Sequence, residues 1–139
     1  MGIEKNKEII RRLVKEVYDK GDLSVVHELI DPNYNYIHPM GLEINGVDGF
    51  SQFIQMLHSA FSNYHMTLED IIAENDKVGI NIALSGILTG KFGEFEPTGN
   101  TVNLTEAMFF TIKDGKVIDQ KAFTDGLSFM QQAGINPFE

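Results

Sequence analysis

Cysteine is absent from the 139 residues, which excludes disulfides, a thiol nucleophile and a thiolate metal site. Basic residues are scarce: eleven Lys and Arg stand against twenty Asp and Glu. The resulting formal charge of −9 repels nucleic acid and anionic membrane surfaces, so neither is an expected partner. No apolar run approaches the roughly 18 residues that read as a membrane span. Residues 1–6 carry neither the apolar core of a signal peptide nor a myristoylation pattern, and a cytoplasmic location is the default expectation. Repeats, low-complexity tracts and linker-like segments are also missing. A single domain over residues 1–139 is expected, large enough to bury about two-thirds of the surface of its unfolded chain.

Several familiar sites are excluded by spacing. His27, His58 and His65 show no metal-ligand spacing with one another or with an acid. Gly86, Gly90 and Gly93 do not open a helix, so they make no dinucleotide fingerprint. The serines lack a nucleophile elbow.

What is present reads as helices first and strands afterwards. Ile9, Ile10, Leu13, Val14, Val17 and Tyr18 form one stripe of an opening helix that Gly21 ends. Asp22 caps a short second helix carrying Val26, Leu29 and Ile30, with Pro32 as its stop. A short strand follows around Tyr34, Tyr36 and His38, closed by Pro39 and Gly41. A third helix, about 47–62, presents Phe50, Phe53, Ile54, Leu57 and Phe61. Runs 64–73 and 77–88 make a hairpin through Glu74-Asn75-Asp76, and a loop over 89–99 precedes a second hairpin turning at Asp114-Gly115. Residues 126–133 form a closing helix stopped by Gly134. This order fits an α+β domain whose curved antiparallel sheet wraps the first helices and leaves a pocket.

The last third holds the candidate chemistry. In the run 101–112 a period of two places Val102, Leu104, Met108, Phe110 and Ile112 on one side, and Glu106 completes that apolar row. In the next run the same count aligns Val117, Asp119, Lys121, Phe123 and Asp125. Two neighbouring strands therefore each send an acid toward one enclosed space, where a carboxyl must be paired, partly protonated or functional. Two simpler readings stand beside this one. Asp125, followed by Gly-Leu-Ser, is a natural helix cap, and Glu106 and Lys121 can neutralise each other as an ion pair. His38 lies on one strand side with Tyr34 and Tyr36, and Tyr18 reaches the same pocket from the first helix or serves the core.

These residues resemble the SnoaL-like polyketide cyclases of the nuclear transport factor 2-like superfamily. The carriers run nearly end to end: residues 6–22 in the first helix, Tyr34-Asn35-Tyr36-Ile37-His38-Pro39, Thr89-Gly90-Lys91-Phe92-Gly93 with Pro97-Thr98-Gly99, Asp114-Gly115-Lys116-Val117, Asp125, and Gln131 or Gln132 before Gly134. The resemblance implies a cone-shaped α+β barrel and a cavity enzyme that needs no cofactor and no metal. It implies that Asp125, at the end of the last strand, is the acid/base, and it makes His38 the matching pocket histidine. Lys121 stands where the family commonly places a large aromatic residue, which makes the cavity smaller, more polar or closed by a salt bridge.

Together these readings predict acid/base chemistry, cyclisation or isomerisation, on a small apolar carbonyl compound. Asp125, His38 and Glu106 are the candidate catalytic residues, and Tyr18, Tyr36, Met108, Phe110, Lys121 and Phe123 line the pocket. A carboxylate in an apolar pocket gains basicity through desolvation, and His38, a protonated Glu106 or a tyrosine supplies a proton or hydrogen bond to the developing oxyanion. The rival reading is a non-catalytic ligand-binding or dimerising module on the same scaffold. By analogy with the architecture, a homodimer is expected.

Overall fold

The computed structural model describes residues 2–136. Helix α1 (Ile3–Arg12) continues into a π-helical stretch, Leu13–Asp19, where one regular helix is predicted from the sequence. The apolar stripe survives the change of winding: Ile9, Ile10, Leu13, Val14, Val17 and Tyr18 are all buried. Gly21, at φ +74°, ends the segment, and the N–H groups of Gly21 and Asp22 donate to the carbonyls of Val17 and Glu16. Asp22 then accepts from the Ser24 N–H at 3.0 Å and caps a short turn, Leu23–Val25, that leads into α2 (Val26–Leu29).

Pro32 does not stop that helix, because the chain is already extended: strand β1 runs Ile30–Ile37 and contains it. Pairing of β1 with its neighbour is interrupted between Ile30 and Asn35, a gap in which a residue without an N–H is tolerated. A three-residue strand, β2 (Glu43–Asn45), too short to leave a periodic signal, precedes α3 (Gly46–Ala60). The remaining elements are β3 (Phe61–Glu74), β4 (Lys77–Leu88), β5 (Thr101–Lys113), β6 (Lys116–Thr124) and α4 (Gly126–Ala133).

The six strands make one sheet in the order β2-β1-β6-β5-β4-β3. It is mixed rather than antiparallel throughout, because β1 runs parallel to β6. The sheet is curved and open, with β2 and β3 at its edges. Curvature has local causes in β3, whose register shifts between Ser62 and His65, where Asn63 takes φ +54°, and again between Leu68 and Asp70. The β3–β4 and β5–β6 turns use left-handed residues, Asn75 in the first and Asp114-Gly115 in the second. Gly90 closes the loop against α3: its N–H donates to the Ala60 carbonyl at 2.9 Å, and a Cβ there would lie 2.3 Å from the Ser59 carbonyl oxygen.

One irregularity decides which face of β6 looks inward. Thr111 pairs with Asp119 and Ile112 with Val117, so Ile118 is an extra residue with no partner on β5. The bulge reverses the alternation. Val117 is buried before it, and Gln120, Ala122 and Thr124 point inward after it, whereas simple counting carries the Val117 face on to Asp119, Lys121, Phe123 and Asp125. No bulge interrupts β5 over the same span, and its predicted row of Val102, Leu104, Glu106, Met108, Phe110 and Ile112 is buried throughout.

Candidate active site

The inward sheet face, the π-helical stretch and α3 line a narrow cavity that is open at its mouth. Its walls are chiefly rings, among them Tyr18, Tyr36, Phe53, Phe61, Tyr64 and Phe92. Their edges meet faces: Phe61 and Phe92 lie 5.3 Å apart at 62°, and Tyr36 and Phe53 lie 6.0 Å apart at 74°. Met66 and Met108 add adaptable wall.

Glu106 enters this apolar space from the middle of β5, between Ile82 on one neighbouring strand and Thr124 on the other. It is only 9% exposed, and among the described residues no Lys or Arg lines the cavity. Burial without a cation pushes its carboxyl up to about 7, so both protonation states are populated near neutral pH. The Thr124 hydroxyl faces the carboxyl and offsets part of that rise; its geometry falls short of a full hydrogen bond, and among the described residues it has no other partner.

His38 follows β1 in a tight turn in which the Gly41 N–H donates to the His38 carbonyl at 2.7 Å. Its ring sits among Tyr36, Phe53 and Phe92, with centroid distances of 5.9, 5.3 and 6.0 Å. Burial lowers its pKa to about 4, so the imidazole is neutral. Nδ1 accepts from the Met40 N–H at 3.0 Å, which leaves the single ring proton on Nε2. His38 is therefore a hydrogen-bond donor to the cavity. Burial also raises the phenols of Tyr18, Tyr36 and Tyr64, which keeps them protonated.

Of the residues singled out from the sequence, His38, Glu106, Tyr18, Tyr36 and Met108 meet at this cavity. Phe110 does not line it; it is buried in the core, between Val78 and Gln120. Lys121 and Phe123 lie on the opposite face of the sheet, both exposed, because of the Ile118 bulge. The pairing of Lys121 with Glu106 fails for the same reason: Lys121 is registered with Phe109, one residue out of step with the inward row.

The expectation that Asp125 projects into the greasy chamber is corrected in the same way. Asp125 is exposed and faces an outer trough with Thr67, Ser85 and Asn103. Its Oδ1 accepts from the Ser128 N–H at 2.9 Å and caps α4. Asp125→Ala should cost about 1 kcal/mol of stability, the usual worth of such a cap, read from the urea midpoint. Turnover at the cavity should stay within about threefold of the parent's, since the side chain forms no part of it.

Sequence reasoning missed Gln120, Thr124, Tyr64 and Phe92. The first two were hidden by the bulge, which leaves no mark in the spacing. Tyr64 and Phe92 read in the sequence only as parts of a strand and a loop, and nothing in their neighbours indicates that both chain segments turn toward the same space.

With this geometry in view, comparison with known proteins is direct. The family profile described as SnoaL-like polyketide cyclase matches residues 8–133. The chain belongs to the SnoaL-like polyketide cyclase family. An aklanonic acid methyl ester cyclase of Streptomyces peucetius is 30% identical over 133 residues, covering 91% of this chain and 89% of the relative. Among solved structures, a protein assigned to the SnoaL-like polyketide cyclases from Jannaschia sp. CCS1 superposes with a TM-score of 0.86 at 27% identity, covering 96% of this chain and 94% of that one. TsrD from Streptomyces laurentii superposes at 0.87 with 20% identity, covering 98% and 99% of the two chains, a likeness of fold alone. The architecture is that of the nuclear transport factor 2-like superfamily. In this SnoaL-like chain Thr124 is the one residue of the last strand that lines the cavity, Gln120 and Ala122 being packed behind it, and the carboxyl comes instead from β5.

Proposed function

We propose that this SnoaL-like protein is an acid/base enzyme that acts on a small, largely apolar carbonyl compound by cyclisation or isomerisation, with Glu106 moving the proton. One observation carries the reading: a single carboxyl, buried and unopposed by any cation, stands in a cavity otherwise made of rings, methyl groups and hydroxyls. Such a carboxylate removes a proton from carbon flanked by carbonyls, and its conjugate acid returns that proton to the alkoxide formed when the enolate carbon attacks a second carbonyl, or to another carbon in an isomerisation. His38 Nε2–H stabilises the oxyanion in between. The aklanonic acid methyl ester cyclase relative supports a carbonyl-rich substrate.

The reading is tested without knowing the substrate. Ketones and β-dicarbonyl compounds incubated with the protein in heavy water should exchange their acidic C–H for deuterium faster than in buffer, followed by proton NMR. A panel in which no compound exchanges above background opposes it and favours a binding module.

A second copy of the chain is the proposed partner of the outer sheet face. Ile72, Phe109 and Phe123 are 70, 47 and 60% exposed there, and the Phe109 and Phe123 rings pack 6.2 Å apart. Exposed apolar side chains grouped on one open sheet face favour self-association. Sedimentation should give a dimer for the parent and a monomer for the Phe109→Asp, Phe123→Asp double variant; a monomeric parent contradicts the assignment.

A further inference from the structure

Behind the cavity wall lies a buried polar chain that the proposed chemistry has not used. The Tyr34 hydroxyl lies 2.6 Å from Gln120 Oε1, Gln120 Nε2 lies 3.0 Å from the Tyr18 hydroxyl, and the same nitrogen lies 3.6 Å from the Met108 sulfur. All three polar residues are nearly inaccessible, at 1, 2 and 2% exposure for Tyr34, Gln120 and Tyr18. Chemistry fixes the direction of each bond. An amide oxygen only accepts, so Tyr34 donates to it; an amide nitrogen only donates, so the Tyr18 oxygen accepts from it. The Met108 sulfur, itself a weak acceptor, holds the nitrogen on that side and opposes rotation of the amide by half a turn. Tyr18 is left with one proton that the relay does not take, and its ring lines the cavity within electrostatic reach of Glu106.

We propose that Tyr34, Gln120 and Tyr18 form a one-way hydrogen-bond relay whose free end, the Tyr18 O–H, donates to the oxygen of an enolate or phenolate bound in the cavity, with Gln120 as its positioning residue. The inference rests on the acid/base reading of the same site and names the ligand class that the site is built for. The balance of polar groups points the same way. Tyr18, Tyr36, Tyr64 and Thr124 present hydroxyls and His38 presents Nε2–H, whereas ionised Glu106 is the one strong acceptor without a proton of its own, beside weakly accepting methionine sulfurs. A donor-rich, cation-free pocket fits a ligand that brings acceptor oxygens and little else. Protonated Glu106 completes the match, because the proton that leaves the carbon acid is then on the carboxyl while the oxyanion faces Tyr18. A donor that already accepts a hydrogen bond is polarised by it, so Gln120 strengthens as well as aims the Tyr18 proton.

The test is equilibrium binding at pH 6, where Glu106 holds its proton, using 4-nitrophenol as the acidic-oxygen probe and 4-nitrotoluene as its isosteric neutral control. The parent should prefer 4-nitrophenol, and bound probe should show the absorption of the phenolate. Tyr18→Phe and Gln120→Leu should each weaken 4-nitrophenol by about tenfold or more while leaving 4-nitrotoluene within about twofold, since a hydrogen bond to a charged oxygen is worth that much. Should Gln120→Leu fail to fold, Tyr34→Phe serves: it frees Gln120 Oε1, lets the amide turn over and draws the Tyr18 proton away from the ligand, with the same selective loss. The relay is overturned if the parent shows no preference for 4-nitrophenol, if the preference survives Tyr18→Phe, or if Gln120→Leu and Tyr34→Phe weaken both probes equally, as a packing role would. Failure of the acid/base reading looks different. There, deuterium exchange is absent or indifferent to Glu106, and the probe preference is unaffected.

Discussion

Glu106→Gln is expected to lower the rate of deuterium exchange into a reactive β-dicarbonyl by about 10²- to 10⁴-fold, the range lost when a positioned acid or base is removed. The amide keeps the shape of the side chain and its reach toward Thr124, so the cavity should still bind the carbonyl compound. The loss should therefore fall on turnover and not on affinity. In the parent the exchange rate should climb with pH as the carboxyl ionises and level off above about pH 7, the value to which burial raises it. An exchange rate in Glu106→Gln equal to the parent's would place the chemistry elsewhere.

The second large effect is on stability and comes from two buried groups whose shifts run in opposite directions. Glu106 has a folded-state pKa of about 7 against an ordinary 4.5. Its proton is held more tightly in the folded chain, so the stability it contributes is complete below pH 4.5 and is lost as pH rises to 7. His38 has a folded-state pKa of about 4 against an ordinary 6.5. It is stabilising when neutral, so its contribution is complete above pH 6.5 and is lost as pH falls to 4. Each shift corresponds to at most about 3 kcal/mol, and between about pH 4.5 and 6.5 the two slopes nearly cancel in the parent. Single substitutions should uncover them. Relative to the parent, Glu106→Gln should gain stability as pH rises toward 7, and His38→Asn should gain stability as pH falls toward 4. Urea unfolding at pH 4, 5.5, 7 and 8 measures both, and parallel curves for all three proteins would show that the two groups are not buried as described. Comparing variants with the parent removes the contribution of the many surface acids.

Legibility in the sequence followed the regularity of the chain. The helix stripe from Ile9 to Tyr18 stays on one face although the winding changes at Leu13, the α3 face through Phe50 and Ile54 and the β5 row through Glu106 obey one period each, and all are readable because neighbouring apolar residues repeat the same signal. Glu106 was conspicuous as the one acid inside an apolar row. The β6 face was not readable past Val117, since an inserted residue such as Ile118 costs little and inverts every side chain after it. That inversion moved Asp125, Lys121 and Phe123 to the outside and concealed Gln120 and Thr124. The parallel pairing of β1 with β6 was equally hidden, because it joins residues far apart in the chain that share no local turn. Asp125 illustrates a further ambiguity: an acid before a helix is chemically suited to a cap and to a catalytic role, and only the direction of its side chain separates them.

The central claim is that Glu106 lies alone and desolvated in the cavity, and carbon-13 NMR of the glutamate side-chain carboxyls tests it most directly. With the resonance assigned by its absence in Glu106→Gln, the account predicts a titration midpoint near 7 for Glu106. A midpoint near the ordinary value of 4.5 would mean that water or a cation reaches the carboxyl, and would contradict it.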